Sequence, residues 1–373
     1  MRELYQKNKL FFLVLFTLIL GFLIWYFREI VIFIIIAAVI SIIGAPLVEV
    51  MDKIRIKKFK LPHAFNVSVT LILILALFFG IFSFFIPLIV NEAGMISNID
   101  MQKLMDYFRE DIAWIQSTLI RYGVMPHGAT IESSIKESIL KIIDFGMFSN
   151  IITSVISFTG SFIVTLFAIL FLSFFFLLDQ NMLPRFLLMI SPGKYKEQMK
   201  NVMSRSKKLL SRYFIGLIVQ ITLNIITYSL ALYIVGVKSP LAIGFFTGII
   251  IIIPYLGGII SMVVGVVLGV TGVISMGEYS QILPMIIKIL VAMGIVQLID
   301  NNVFAPLIQG KSVKAHPVEI FLVVIAAASL GGMLGMVVAV PAYGFIKIVA
   351  SEFLTNFKKA QGLPERNKDR EIH

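Results

Sequence analysis

Gln220, Asn224 and Thr227 stand at i, i+4 and i+7 inside an apolar run, and Gln297 and Asn301 repeat the four-residue step with Asp300 beside them. Residues four apart share one face of a helix, so each set projects as a polar stripe from an otherwise apolar cylinder. Amides donate and accept hydrogen bonds at once, which suits a neutral, polyhydroxylated solute. The competing use of amides inside a membrane is to hold helices to one another. Asp300 is the sharper feature. An acid within an apolar span is costly and reads as a proton carrier or cation ligand. Its structural alternative is a carboxylate at a helix end near the interface, paired with Lys311 or Lys314.

Other ionisable residues are weighed the same way. Glu319 follows His316–Pro317, where a helix would begin. It is a second candidate for the coupling ion, set against the simpler role of an acid complementing a helix N-terminus. Lys288 and Lys347 read as snorkelling cations, and Asp179 as an interface marker. His63 and His127 fall in loops, and four scattered histidines form no metal cluster, so no metal and no cofactor are expected.

The elements that carry these residues are interrupted in an unusual way. "GIIIIIPYLGGIISMVVG" (248–265) places Pro254 and the pair Gly257–Gly258 within a stretch long enough to cross a bilayer. "VEIFLVVIAAASLGGMLGMVVAVPAYG" does the same with Gly331–Gly332 and Pro341. Backbone released from a helix at membrane depth survives only when buried in protein or lining a watery cavity. Each stretch, 240–275 and 317–350, is therefore either a kinked span or a re-entrant hairpin. Tyr255 and the backbones of Gly257, Gly258, Gly331 and Gly332 become neighbours of the amide site. Pro254, Pro306, Pro317 and Pro341 are the candidate hinges.

The solvent for all of this is lipid. Of 373 residues, 58% are hydrophobic and 14% charged, too much apolar surface for a soluble domain of this size. Several stretches reach the roughly 20 residues that span the hydrocarbon as a helix. A net charge of +11 does not indicate nucleic acid, because the cations fall in short segments between apolar runs, as the positive-inside rule requires. No cysteine is present, which removes disulfides, thiolate metal sites and cysteine nucleophiles. Walker loops, zincin helices and nucleophile elbows are missing too, so an enzyme is not expected.

Three N-terminal spans occupy 1–90, the first at 10–27 and the third ending near Pro87, with a basic loop at Lys53–Lys60 between the second and third. In 91–150 eight acids face five bases, and Leu104, Phe108, Ile115, Leu119 and then Ile131, Ile135, Ile139, Ile142 recur at helical spacing: a two-helix extracytoplasmic domain. A fourth span lies in 151–182. The segment 183–212 is a basic connector, amphipathic enough to lie on an anionic inner leaflet. A transport core fills 213–355 and a cytoplasmic tail 356–373. Both termini are placed in the cytoplasm.

Loop charge bears on the hairpins. If both broken stretches cross, 276–283 is inside and 305–317 outside; if both turn back, the two loops change places. The first loop has no Lys or Arg and the second has Lys311 and Lys314, which favours hairpins. Adding 77 to Gln220, Asn224, Pro240 and Gly258 gives Gln297, Asn301, Pro317 and Gly335. With hairpins the two halves would point in opposite directions, as an inverted repeat with the site between them. The expected fold is an all-α polytopic membrane protein with about six full spans plus two re-entrant hairpins, or else eight spans.

The stretches "VKSPLAIGFFTGIIIIIPYLGGII" and "DNNVFAPLIQGKSVKAHPVEIFLVVIAAASLGGMLGMVVAVP" resemble the two signature regions of the autoinducer-2 exporter family of prokaryotic permeases. The C-terminal motif falls on Asp300, Asn301, Pro306, Gly310, Lys311, Ser312, Val313, His316 and Pro317. Where Gly258 stands, members of that family usually carry Pro. The resemblance implies a cytoplasmic-membrane transporter of small polar solutes, exporting the quorum-sensing signal autoinducer-2 or exchanging Na+ or Li+ for H+. It further implies an elevator-like movement of the hairpins and a homo-oligomer, with a pentamer as the stoichiometry it suggests. A membrane scaffold without transport is the rival from another class, and it would leave the two breaks without a purpose.

Overall fold

The computed structural model describes residues 15, 18–19, 21–23, 25–56, 59–97, 99–123, 160–254, 256–309 and 316–360. The first expected span, the second half of the expected extracytoplasmic domain and the C-terminal tail lie largely outside these residues, as do Tyr255 and the Gly310–Lys314 part of the motif. The described chain is helical apart from a two-rung antiparallel ladder, Arg55 with Lys60 and Ile56 with Phe59. Six of its helices are long and apolar enough to cross a membrane: Arg28–Lys53, His63–Glu92, Gly193–Ile234, Gly257–Ser275, Tyr279–Ile308 and Gly335–Phe353. Ile163–Leu178, Pro240–Ile250 and Pro317–Gly332 are shorter apolar helices. Large apolar side chains face outward along them, as a lipid solvent allows.

The described residues divide into two compact units. The first takes Met1–Ala76 and Phe158–Ser211. In it α1 (Arg28–Lys53) buries Ala37, Ser41, Gly44, Ala45 and Val48, a face of small residues at helical spacing. A methyl on Gly44 would lie 3.3 Å from both Ile74 and Leu177, so the missing side chain sets how closely α2 (His63–Ser97) and α5 (Gly160–Leu178) approach. The α1–α2 connection is clasped by Asp52, which accepts from Asn66 Nδ2 at 2.6 Å and meets His63 Nδ1 at 2.8 Å. The basic connector is divided: its start lies in α6 (Met182–Ile190), Ser191, Pro192 and Gly193 follow the end of that helix, and from Lys196 on it is the leading part of α7, one continuous helix over Lys196–Ile234. At 1.5 Å per residue α7 is about 58 Å long, well beyond the hydrocarbon thickness, so its basic end extends past it.

The second unit takes Leu77–Ser157 and Arg212–His373. Pro87 does not end α2, which runs on to Ser97; transmembrane helices tolerate proline where neighbours re-satisfy the freed carbonyl. Short helices α3 (Met101–Tyr107) and α4 (Arg109–Arg121) follow, separated at Phe108. Leu104 of α3 packs with Val273 and Ile282. After α7 stops at Gly236, in the left-handed region at φ 85°, Pro240 opens α8 (Pro240–Ile250) at the position where a helix needs no N–H. α8 ends at Ile250, 251–254 form turns, and the chain returns as α9 (Gly257–Ser275). Ser261 Oγ donates to the Thr247 carbonyl at 2.8 Å, and a methyl on Gly257 would lie 2.5 Å from the Ile250 carbonyl oxygen, so the two arms run antiparallel.

Next come α10 (Ile282–Ile299), a π-helical turn over Asp300–Phe304 and α11 (Ala305–Gln309). Last is α12 (Pro317–Ala360), which reverses at Gly331 and Gly332. A side chain on Gly335 would run into the carbonyl of Ala327, Tyr343 donates its hydroxyl to Glu319, and Lys347 lies 3.9 Å from the same carboxylate. In a straight helix, 24 residues separate partners by about 36 Å, so the two arms lie side by side.

Candidate functional site

The polar stripe on α7 meets the one on α10. Gln220 Nε2 and Asn224 Nδ2 both donate to Oδ1 of Asp300, at 2.9 and 2.8 Å. All three side chains are buried; Asp300 is 4% exposed. One turn further, the hydroxyl of fully buried Tyr228 donates to Gln297 Oε1 at 3.0 Å, and Gln297 Nε2 reaches toward exposed Asn301 at 3.4 Å. A methyl on Gly216 would touch Ile308 at 2.8 Å. Positions 216, 220–224 and 228 thus oppose 308, 300 and 297, and α7 and α10 are antiparallel.

Asp300 continues the buried face of α10 that runs through Ile289, Met293 and Val296 at helical spacing. It opens the π-helical turn, in which the Ala305 N–H reaches back to the Asp300 carbonyl. A π-turn inserts an extra residue and rotates the following side chains, a device common at functional positions. Asp300 faces the buried amides, while Asn301 and Asn302 are exposed.

The first hairpin rests on this pair. A methyl on Gly258 would meet the Gln297 amide at 2.6–2.8 Å, so the absent side chain brings the α9 backbone onto that group. Gly244 and Gly248 of α8 lie against Ser229 and Ile225 of α7 in the same manner. The second hairpin also meets α7, where Tyr213 donates its hydroxyl to the Val337 carbonyl at 3.3 Å.

The predicted residues are not all gathered. Gln220, Asn224, Asp300, Gln297, Asn301, Gly257 and Gly258 belong to one connected region. Thr227 turns back on its own helix, donating to Leu223 or Asn224 carbonyls. Gly331 and Gly332 are exposed at the second reversal, where a methyl on either would meet no atom of the described residues within 4 Å, and Glu319 is bound within its own hairpin. Pro254 lies in the first break, Pro306 in α11, Pro317 at the start of α12, and Pro341 is buried in its second arm. Tyr228 was not singled out by the sequence. A tyrosine at helical spacing looks like core; only its register with Gln220 and Asn224, one turn on, marked it.

A family model described as "AI-2E family transporter" matches residues 10–355, nearly the whole chain. The chain belongs to the AI-2E transporter family. It is similar to "Putative transport protein YueF" of Bacillus subtilis (strain 168), 26% identical over 352 residues that cover 89% of this chain and 85% of that one. It is also similar to "Putative transport protein YrrI" of the same organism, 28% identical over 185 residues, 49% and 50% of the two chains. The Synechocystis sp. protein sll0063, described likewise, is 26% identical over 178 residues, 48% and 42% of the two. This AI-2E protein is accordingly a multi-pass membrane protein of a transport family, and the amide–carboxylate pair is the candidate site within it.

Proposed function

We propose that the protein is a secondary transporter that exports a small polar solute, such as autoinducer-2, by an elevator-like movement of its two helical hairpins. The observation that carries this reading is Asp300, a carboxylate buried in an apolar helix and held by two amides of an antiparallel helix on which both hairpins pack. A scaffold has no use for an ionisable group whose burial costs so much. Gln220, Asn224, Gln297 and Asn301 would bind the solute, Gly257 and Gly258 would present backbone to it, and Asp300 would carry the coupling proton or cation. Antiparallel α7 and α10, each followed by a hairpin, are the arrangement an inverted repeat would use. The protein would sit in the cytoplasmic membrane with both termini inside, as a homo-oligomer.

A second reading, exchange of Na+ or Li+ for H+, is favoured by one atom. Asn224 Oδ1 is buried beside the Asp300 carboxylate and has no hydrogen-bond partner among the described residues. Hard cations take oxygen ligands, and such an orphaned amide oxygen next to a carboxylate is one.

Purified protein in liposomes with a trapped pH dye separates the readings. A proton flux under an imposed sodium gradient, lost in Asp300→Asn, selects the antiporter. Accumulation of labelled autoinducer-2 without sodium-driven proton flux selects solute export. Neither flux from folded protein would reject both.

A further inference from the structure

Glu92 is the last residue of the apolar stretch His63–Glu92 and is only 3% exposed. Its Oε1 lies 2.7 Å from the Thr271 hydroxyl on α9. That hydroxyl is as close, 2.6 Å, to the Leu268 carbonyl oxygen. A hydroxyl has one proton to give, while a carbonyl and an ionised carboxylate only accept. With Glu92 ionised, one of these two short contacts would bring oxygen against oxygen with no hydrogen between them. A proton on Glu92 resolves the arrangement: the carboxyl donates to Thr271 Oγ1, and Thr271 donates to Leu268. The second oxygen points to the same state. Oε2 is buried with no hydrogen-bond partner among the described residues, which is far costlier for a charged carboxylate than for the carbonyl oxygen of a neutral acid.

The position gives the group a purpose. Gly258 meets the Gln297 amide near Asp300 at one end of α9, and Thr271 meets Glu92 thirteen residues later. At 1.5 Å per residue the two ends are about 20 Å apart, most of the way across the hydrocarbon. We propose that Glu92 and Thr271 form a second proton-binding site, at the end of α9 opposite Asp300, which takes up and releases a proton. Among the described residues, the charged groups on the elements packed there are Lys238, whose Cβ would lie 2.8 Å from a methyl on Gly272, Lys103 and Asp106 flanking Leu104 on α3, Glu278 after α9 and Lys288 on α10. All five are exposed, and Lys103 is paired with Asp100 at 3.4 Å.

The site stands apart from the transport reading and is tested without flux. The full-length protein in liposomes is followed by infrared difference spectroscopy while the pH is stepped between about 5 and 9. A neutral carboxyl has a carbonyl stretch that is sensitive to deuterium and disappears on ionisation. We expect such a band to change with pH, to vanish in Glu92→Gln, to persist in Asp300→Asn and to shift in Thr271→Val, which removes its acceptor. Identical bands in wild type and Glu92→Gln, or a Glu92 band that ignores pH, would overturn the proposal. If Glu92→Gln does not fold, Glu92→Asp keeps the carboxyl, and absence of a pH-sensitive band there overturns it equally. A wild type with the band but without any flux would reject the transporter reading and leave this site standing.

Discussion

Asn224 and Asp300, 76 positions apart in the chain, meet in a buried 2.8 Å bond between an amide Nδ2 and a carboxylate oxygen that Gln220 also engages. The bond joins two antiparallel helices where neither can turn to water. Removing one partner therefore strands the other. Asn224→Leu or Asp300→Leu alone should each destabilise the protein by about 1–3 kcal/mol. The double variant should cost less than their sum by about 0.5–3 kcal/mol. Thermal unfolding in detergent of the four proteins of this cycle measures it; additive losses would mean that the contact contributes nothing to stability.

Gly257 and Gly258 are adjacent but meet different neighbours. A methyl on Gly257 would face backbone, the Ile250 carbonyl at 2.5 Å and Ile251 Cα at 2.7 Å. On Gly258 it would face the Gln297 side chain, which can swing aside. Gly257→Ala should therefore lower stability by about 1–3 kcal/mol through overpacking. Gly258→Ala should leave the melting temperature nearly unchanged while altering solute affinity, because it displaces the Gln297 amide from Tyr228. Melting curves together with transport KM separate the two effects.

Gly331 and Gly332 make the corresponding contrast in the second hairpin, here through backbone alone, since no atom of the described residues lies within 4 Å of a methyl on either. Gly332 has φ 56° and ψ −139°, a region a side chain rarely enters, whereas Gly331 has φ −137°. Gly332→Ala should cost about 1–3 kcal/mol, and Gly331→Ala should be tolerated. Equal effects of the two would show that reversal does not depend on the conformation of Gly332.

What the sequence could reveal here was periodicity. The spacing of Gln220 and Asn224, and of Gln297 and Asn301, fixed which residues share a face, and the breakers at Pro254–Gly258 and Gly331–Gly332 marked where the chain turns. Spacing does not tell which faces meet, so Asp300 as the common acceptor for Gln220 and Asn224 had no one-dimensional signal. Nor did the π-turn that begins at it. Composition groups Glu92 with the acids of 91–150 and Pro87 reads as the end of a span, whereas α2 runs past that proline to Ser97 and Glu92 is buried. The basic segment 183–212 is cut by Ser191–Pro192–Gly193, a break legible in its residues, and only the part from Lys196 on runs unbroken into α7.

Asp100 caps α3, its carboxylate accepting from the N–H groups of Gln102 and Lys103 at 3.1 Å. These bonds, that to the Lys103 N–H foremost, hold its carboxyl below the usual value of 3.8. A carboxylate with a depressed folded-state pKa stabilises above its unfolded value and loses that contribution as pH falls through the folded one. The start of α3 should accordingly fray only under acid conditions below pH 3.8. Hydrogen exchange of the Gln102 and Lys103 amides would report it. In Asp100→Ala both amides should exchange fast at every pH, and in Asp100→Asn, which keeps an acceptor without the charge, protection should persist and lose its acid dependence.

The orientation of the hairpins is open to a direct measurement because the chain has no cysteine. Ser280 is exposed in the short 3₁₀ turn Tyr279–Gln281, between the first hairpin and α10. If α8 and α9 enter and leave the membrane on one side, that turn lies outside the cell; if the pair amounts to a full crossing, it lies inside. We expect Ser280→Cys to react with an impermeant maleimide added to whole cells. The permeant reagent supplies the control for reactivity, and Gln116→Cys on α4 serves as the outside reference. Labelling of position 280 by the permeant reagent alone, with position 116 labelled by both, would place the turn in the cytoplasm and remove the re-entrant hairpin. The inverted repeat would go with it, since α7 and α10 would then have to cross in the same direction. Labelling by both reagents would leave only hairpin motion to be measured, as a change in the reaction rate at position 280 when solute or sodium is added.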